Sequence, residues 1–206
     1  MTRSFALAQV EVGTGNRVRR ALWCIVSKLL YRPSPTPLHA WRRGLLKAFG
    51  ARIGAGAHPY PRARIWAPWN LTMGEHSCIA DDVDCYSVGP VTLGPHATVS
   101  QYSYLCSASQ DYRVPSLPLV VAPIVIEADA WVAADVFVGP GVRIGRGAVI
   151  GARSAVFADV PDWAVMVGSP ARQQGLRPAF ERSVAGSPVV GSLASAPALH
   201  ADSCSS

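Results

Sequence analysis

The feature that most restricts the fold of this chain is an aliphatic residue returning at every sixth position: Ile126, Val132, Val138, Ile144, Ile150 and Val156. Four residues after each of the first five stands a small or β-branched residue, namely Ala130, Val136, Val142, Ala148 and Ser154. Gly or another small residue often follows the aliphatic one, as at Ala133, Gly139, Gly145 and Gly151. A period of six matches neither an α-helix, which repeats about every 3.6 residues, nor a plain strand, which alternates about every two. It matches a short strand of about four residues and a bend of about two, with three such sides closing a triangular coil of about 18 residues. The aliphatic side chain fills the interior near each corner, the small residue fits where the sides converge, and Gly relieves the turn. Coils stack at about 4.8 Å, and each buries its neighbour's interior, so stability accumulates over stacked units.

The pattern also runs upstream, with breaks. Ile53-Gly54 with Ala57 starts the array, and the units at Pro59 and Ile65 are degenerate. Met73-Gly74 leads to Ser77, Ile79-Ala80 to Val83, and Cys85 holds the next aliphatic slot. Two extra residues intervene before Leu93-Gly94 and Ala97, followed by Val99-Ser100, Ser103 and Leu105. This predicts about five coils between Ile53 and Val156, roughly 24 Å of stack. After Leu105 the segment CSASQDYRVPSLPLVVAP leaves the hexad rule, which resumes at Ile126. A loop thrown out of a solenoid usually carries function, a tolerated insertion being the plainer alternative. Beyond Val156, ADVPDWAVMVGSPAR reads as an extended crossing segment.

Three segments are expected: an N-terminal segment with a helical cap over residues 1–50, the β-helix over 51–177, and a tail over 178–206. Residues 17–50 read as two helical stretches joined by RPSPTPLH, where Pro33, Pro35 and Pro37 stop the first. The second, Leu38–Phe49, ends at Gly50 as a C-cap and covers the open edge of the first coil. Ala21–Tyr31 (ALWCIVSKLLY) is apolar but shorter than the roughly 20 residues a bilayer span needs. With Trp23 and Tyr31 flanked by Arg19, Arg20 and Arg32, it either lies flat on a membrane surface or packs on the protein's own core. The start, MTRSFALAQVEVGTG, lacks the apolar run of a secretory leader. The tail, rich in Ala, Ser, Pro and Val and poor in charge, is expected to be disordered.

The formal net charge is +6, and much of the positive charge precedes position 65: Arg17, Arg19, Arg20, Lys28, Arg32, Arg42, Arg43, Lys47, Arg52, Arg62 and Arg64. The chain has no zinc-finger spacing, RNP-like aromatic motif or convincing helix-turn-helix, so nucleic acid is not an expected partner. The basic region either attracts anionic lipid or phosphorylated ligands or is a solvated face. Five cysteines, an odd number without a CxxC pair, point to a reducing cytosol and a cytoplasmic location, with peripheral contact at the inner membrane on the surface-helix reading. His58, His76 and His96 fall in different coils without a close pair, so no metal is expected.

Four stretches carry a family likeness: ARIWAPWNLTMGEHSCIADDVDCY, VTLGPHATVSQYSYLC, VFVGPGVRIGRGAVIGARSAV and DVPDWAVMVGSPAR. Together they resemble the colanic acid biosynthesis acetyltransferases, within the hexapeptide-repeat acyltransferases that include maltose, galactoside and nodulation-factor acetyltransferases. The likeness runs from about Arg17 to Arg172. It implies an all-β fold, a left-handed parallel β-helix. Handedness rests on the resemblance, because parallel crossovers are otherwise right-handed in about 98% of cases.

The resemblance further implies a homotrimer with sites between subunits. It implies acetyl transfer from acetyl-CoA to a hydroxyl of a sugar, or lipid-linked sugar, of an exopolysaccharide precursor. In the family a His of the ejected loop removes the hydroxyl proton and backbone N–H groups stabilise the oxyanion. Where the family has Ser-His-Asp, this chain has Ser109-Gln110-Asp111. Gln lacks useful basicity but can orient a hydroxyl or donate to an oxyanion. Three readings follow: His96, His76 or Asp111 supplies the base; positioning alone sustains slow turnover; or the chain is a catalytically impaired binding protein. By position, the resemblance assigns CoA contacts to Ala134, Ala152, Phe157, Ala158 and Arg172, the last near the adenosine phosphates. Phe157 and Ala158 stand where the family often has Thr-Lys, which removes a cation. Asp84, Tyr86 and Ser87 are the expected acceptor contacts.

Overall fold

The hexads close into a triangular solenoid. In the computed structural model, which describes residues 8–9 and 13–180, short strands stack in parallel on three faces. The first face carries Arg52–Ile53, Leu71–Met73, Val91–Leu93, Ile124–Ile126 and Arg143–Ile144. The second carries His58–Pro59, Cys78–Ile79, Thr98–Val99, Trp131–Val132, Val149–Ile150 and Ala164–Val167, closed by the antiparallel strand Arg172–Leu176. The third carries Arg64–Ile65, Asp84–Tyr86, Tyr104–Cys106, Phe137–Val138 and Ala155–Val156. Registers join equivalent hexad positions, such as Ile79 with Val99 and Leu105 with Val138.

The interior is the column of hexad aliphatics. Ile79, Val99, Val132 and Ile150 are fully buried in line on the second face, and the small residues Ala97, Ala130 and Ala148 lie equally deep. Each buried Val or Ile side chain contributes about 1.5–3 kcal/mol, and the column supplies the core that such short strands could not build singly. Five coils are complete, as the repeat predicts. A partial sixth follows, because Val160 bridges to Ile144 and Val165 pairs with Val149. The segment after Val156 is therefore a continuation of the solenoid and not merely an extended crossing; its shortened first hexad hides the register in the sequence.

Gly56 (φ 63°) and Gly147 (φ 64°) relieve the turn as expected, but the glycine that directly follows the hexad aliphatic acts differently. At the corner between first and second faces, the left-handed backbone falls two residues after the glycine, at His76 (φ 53°) and His96 (φ 58°). Gly74 and Gly94 are needed for close approach: a Cβ there would lie 2.5 Å from the backbone N of Pro95 or Ala128 in the next coil.

The N-terminal helices, α1 (Thr14–Val26) and α2 (His39–Ala48), cap the first coil. A π-helical turn, Ser27–Tyr31, extends α1. Trp23 and Tyr31 are buried: the Trp23 indole donates to Ile65 O at 2.7 Å and packs 5.1 Å from Phe49, and the Tyr31 hydroxyl donates to Tyr60 O at 3.1 Å. These two aromatics therefore belong to the core and not to a membrane-facing side. The outward stripe of the same helix is Val18, Leu22, Ile25 and Leu29, each more than half exposed. Arg42, fully buried, holds the proline-rich turn, donating to Pro59 O at 2.7 Å, Pro35 O at 2.8 Å, Ser34 Oγ at 2.9 Å and Thr36 O. Gly50 takes a left-handed φ of 92° after α2, as a C-cap requires. The tail assigned to disorder lies, from residue 181, outside the described residues.

Candidate active site

Irregularity concentrates at the corner where the third face turns into the first. There Ile65 to Met73 and Cys85 to Leu93 each span two residues more than a hexad, and the whole ejected segment leaves between Leu105 and Ile126. Local hydrogen bonds fix the widened turns. Ser87 Oγ accepts from Ala67 N at 3.0 Å and donates to Ala67 O at 3.1 Å. Asn70 Nδ2 donates to Ser87 O and Val88 O, and Ser107 Oγ donates to Tyr86 O at 2.7 Å while accepting from Gly89 N at 2.9 Å. Ser87 is fully buried, so its hydroxyl is committed to shaping this corner and withdrawn from an acceptor.

The ejected segment is a β-hairpin and not an irregular loop. Ala108–Gln110 pairs antiparallel with Leu119–Val121, and Ala8–Gln9 adds a third strand, Ala8 opposite Val121. The unbroken apolar, β-branched run LVVA was the available sequence signal for the returning strand, and the apolar–polar alternation of AQVEV that for the strand near the N-terminus; neither signal named its partner. The hairpin forms one wall of an open groove of about 360 Å³, with Gln110, Asp111, Tyr112 and Arg113 on it and Pro140 of the fourth coil opposite.

Gln110 is exposed at this groove. Asp111 is clamped by Arg113, whose Nε and Nη2 donate at 2.8 and 3.0 Å to its two oxygens. Those hydrogen bonds hold the Asp111 carboxyl below the usual carboxylate range, which makes it a weak base. His96 is elsewhere: it occupies the left-handed position of the corner between first and second faces, its ring stacked on His76 at 5.2 Å and 10°. Within one chain, His96 and Gln110 are thus on different corners of the coil.

The positions assigned to CoA divide between two corners. Ala134 and Ala152 lie on the corner between second and third faces, in successive coils joined by Arg153 N to Ala134 O at 3.0 Å. Arg172 reaches the same edge one turn further, because Ala171 N donates to Ala155 O at 2.8 Å and Ala155 N to Gly168 O at 3.0 Å. Ala152 and Arg172 are exposed and Ala134 is half-buried. Arg153, not singled out in the sequence, adds a second guanidinium there, paired with Asp135 at 3.5 Å. An edge of small side chains with guanidiniums toward its end suits a thin ligand arm ending in phosphates. Phe157 and Ala158 stand across the third face, at the same corner as Pro140, with Phe157 64% exposed.

Between those corners runs a strip of aromatic side chains: Trp66, Tyr86, Tyr104, Phe137 and Phe157, with successive ring centroids 5.6, 6.2, 5.7 and 5.5 Å apart. Asp84 lies beside it, paired with Arg64 at 3.3 Å. Burial and the adjacent Cys106 thiol push the Tyr104 phenol pKa upward, so it is protonated and able to donate. Among the described residues, no three His, Cys, Asp or Glu side chains gather as a metal site.

A family profile for the bacterial transferase hexapeptide, six repeats, matches residues 123–158. The chain is 43% identical over 157 residues to the Escherichia coli colanic acid biosynthesis acetyltransferase WcaF, covering 76% of this chain and 86% of that one. A hexapeptide-repeat acetyltransferase of Vibrio cholerae, solved with acetyl coenzyme A, superposes with a TM-score of 0.70 at 26% identity, covering 80% of this chain and 90% of that one. A Clostridium difficile maltose O-acetyltransferase shares the fold, with a TM-score of 0.74 at 21% identity over 83% of this chain and 93% of its own. With its six-residue repeat, its hairpin at the widened corner and this degree of identity, the chain belongs to the hexapeptide-repeat acetyltransferases.

Proposed function

We propose that the chain moves acetyl from acetyl-CoA to a hydroxyl of a sugar in an exopolysaccharide precursor. The observation that carries this reading is the hairpin of the widened corner, which sets Gln110 over a groove while the family's cofactor positions Ala134, Ala152 and Arg172 align along one edge of the same coils. The colanic acid relative and the acetyl-CoA-bound Vibrio neighbour support the acceptor and donor classes. Gln110 would orient the attacking hydroxyl through its amide, with no proton taken up. The base is then His96 of an adjoining subunit in a trimer whose sites lie between subunits, since within one chain His96 is on another corner. The protein acts in the cytoplasm and rests on the inner membrane through the Val18, Leu22, Ile25 and Leu29 stripe, among basic neighbours.

A second reading is favoured by one specific observation: Gln110 replaces the basic residue while Asp111 is neutralised by Arg113. On that reading the chain binds the same ligands and transfers little. Release of CoA thiol from acetyl-CoA, with and without a sugar acceptor, separates the two. Under the first reading the natural chain is active and His96→Ala lowers transfer about 10²–10⁴-fold, the usual worth of a general base. Transfer that is absent in the natural chain and appears only in Gln110→His establishes the second.

A further inference from the structure

The strongest unassigned feature is a pocket of about 200 Å³ where α1 and its π-helical turn meet the first coil. Its lining includes Arg20, Ser27, Lys28, Arg32, Arg64 and Trp66. Four of these six carry positive charge. Asp84 compensates Arg64 at 3.3 Å, while Arg20, Lys28 and Arg32 form no ion pair among the described residues. The sequence contains no Asp or Glu between Gly13 and Gly74, so no acidic side chain of that stretch can neutralise the pocket. Such a concentration of like charge raises the energy of the empty site and is relieved by an anion.

Two features show that the pocket is built and not a chance meeting of surface cations. The helix widens into the π form at Ser27–Tyr31, with Arg32 N bonded to Ser27 O at 2.9 Å, and this rare turn sets the spacing of Ser27, Lys28 and Arg32 on the rim. π turns are uncommon and concentrate at functional sites. Arg20 is also held in place: its guanidinium lies 3.6 Å over the Trp66 ring, while Trp23 and Ile65 close the floor. Trp66 is at the same time the first ring of the aromatic strip, which descends through Tyr86 and Tyr104 toward Phe137 in the coil that forms the catalytic groove. From the first coil to the fourth is about 14 Å at ordinary strand spacing.

We propose that this pocket binds the phosphate or diphosphate group of the acceptor, and that the aromatic strip below it seats the sugar. A pyranose presents C–H groups of slight positive charge on its faces, which pack on the electron-rich faces of aromatic rings, and the pocket holds the charged end of the same molecule. The acceptor is then a glycosyl phosphate or diphosphate ester and not a neutral free sugar. This deepens the sugar acetyltransferase reading and rests on it. The donor's own phosphates are the competing occupant. They are assigned to the far end of the stack, at Arg153 and Arg172, which makes the two anion sites separable.

The test measures binding of three probes to the full-length protein by isothermal titration: inorganic pyrophosphate, glucose 1-phosphate and acetyl-CoA. The expected result is that pyrophosphate and glucose 1-phosphate compete, and that both weaken at least tenfold in Lys28→Glu/Arg32→Glu, with acetyl-CoA affinity changed less than twofold. Both substituted side chains are exposed, so circular dichroism should match the natural protein. Tyr86→Ala should weaken glucose 1-phosphate severalfold and leave pyrophosphate unchanged. The proposal is overturned if neither phosphate probe binds at millimolar concentration. It is also overturned if the double variant weakens acetyl-CoA as much as pyrophosphate, which would give the pocket to the donor, or if Tyr86→Ala leaves both probes unaffected. Acetyl-CoA binding with no phosphate binding defeats this proposal alone, whereas phosphate binding with no acetyl-CoA binding defeats the acetyltransferase reading.

Discussion

Gly94→Ala tests the claim that the hexad glycine is set by coil-to-coil approach and not by turn conformation. A Cβ at residue 94 would meet Ala128 N at 2.5 Å and Glu127 C at 2.8 Å. Ordinary carbon contacts begin near 3.4 Å, so the fourth coil must retreat by about 1 Å at this corner. The obstructing atoms are backbone, held by Gly94 N donating to Ile126 O at 2.7 Å, and no side chain can swing aside. Overpacking of this kind costs about 1–3 kcal/mol, and loss of the ladder hydrogen bond about 1 kcal/mol more. The smaller entropy of an unfolded Ala chain returns about 0.4–1 kcal/mol. The net expectation is about 1–3.6 kcal/mol of destabilisation, centred slightly above 2 kcal/mol. Gly139 provides the control: a Cβ there meets Val156 O at 3.3 Å and the yielding Phe157 ring at 3.4 Å, so Gly139→Ala should stay within about 1 kcal/mol of the natural protein. Urea unfolding followed by circular dichroism measures both. Equal urea midpoints for Gly94→Ala and Gly139→Ala would show that the approach of the fourth coil does not require glycine at position 94.

Asp111 should titrate below the usual carboxylate range by carboxyl NMR, and Arg113→Ala should return it upward, because the hydrogen bonds from Arg113 are the main cause of the depression. Burial lowers the His39 pKa, so the folded cap favours neutral imidazole. Its contribution to stability is present above the ordinary His value of about 6.5 and is lost as pH falls through the folded pKa; thermal scans should show this loss, and His39→Gln should flatten it. Burial pushes the Cys85 thiol up to about 12, so a thiol reagent at neutral pH should label exposed Cys24 and leave Cys85 untouched in the folded protein. If the outward stripe of α1 and its π-helical turn rests on lipid, Leu22→Ser/Leu29→Ser should lower sedimentation with phosphatidylglycerol vesicles severalfold without changing the oligomeric state; loss of oligomers would assign the stripe to subunit contact.

The six-residue period determined the solenoid because burial in a coil depends on a residue's place within its own hexad. Ile79, Val99 and Val132 need no knowledge of their neighbours to be recognised as interior, and five complete coils follow from counting them. The ejected segment was legible for the same reason, as a failure of the period after Leu105. Gln110 was legible through family likeness to a motif. What lies beside what across coils was not legible, because contacts between stacked strands join residues some 20 positions apart, at offsets set by the extra residues of each corner. Tyr86 meets Tyr104 because both belong to one face, although their hexad positions differ. The pairing of Ala8–Gln9 with the hairpin, the burial of Trp23 and Tyr31 against the first coil, and the separation of His96 from Gln110 on different corners are of the same kind. The sequence alone determined the repeating cross-section; only the tertiary structure decided which side chains the stack brings together, since stacking register is a property of the assembled coils and of no single one.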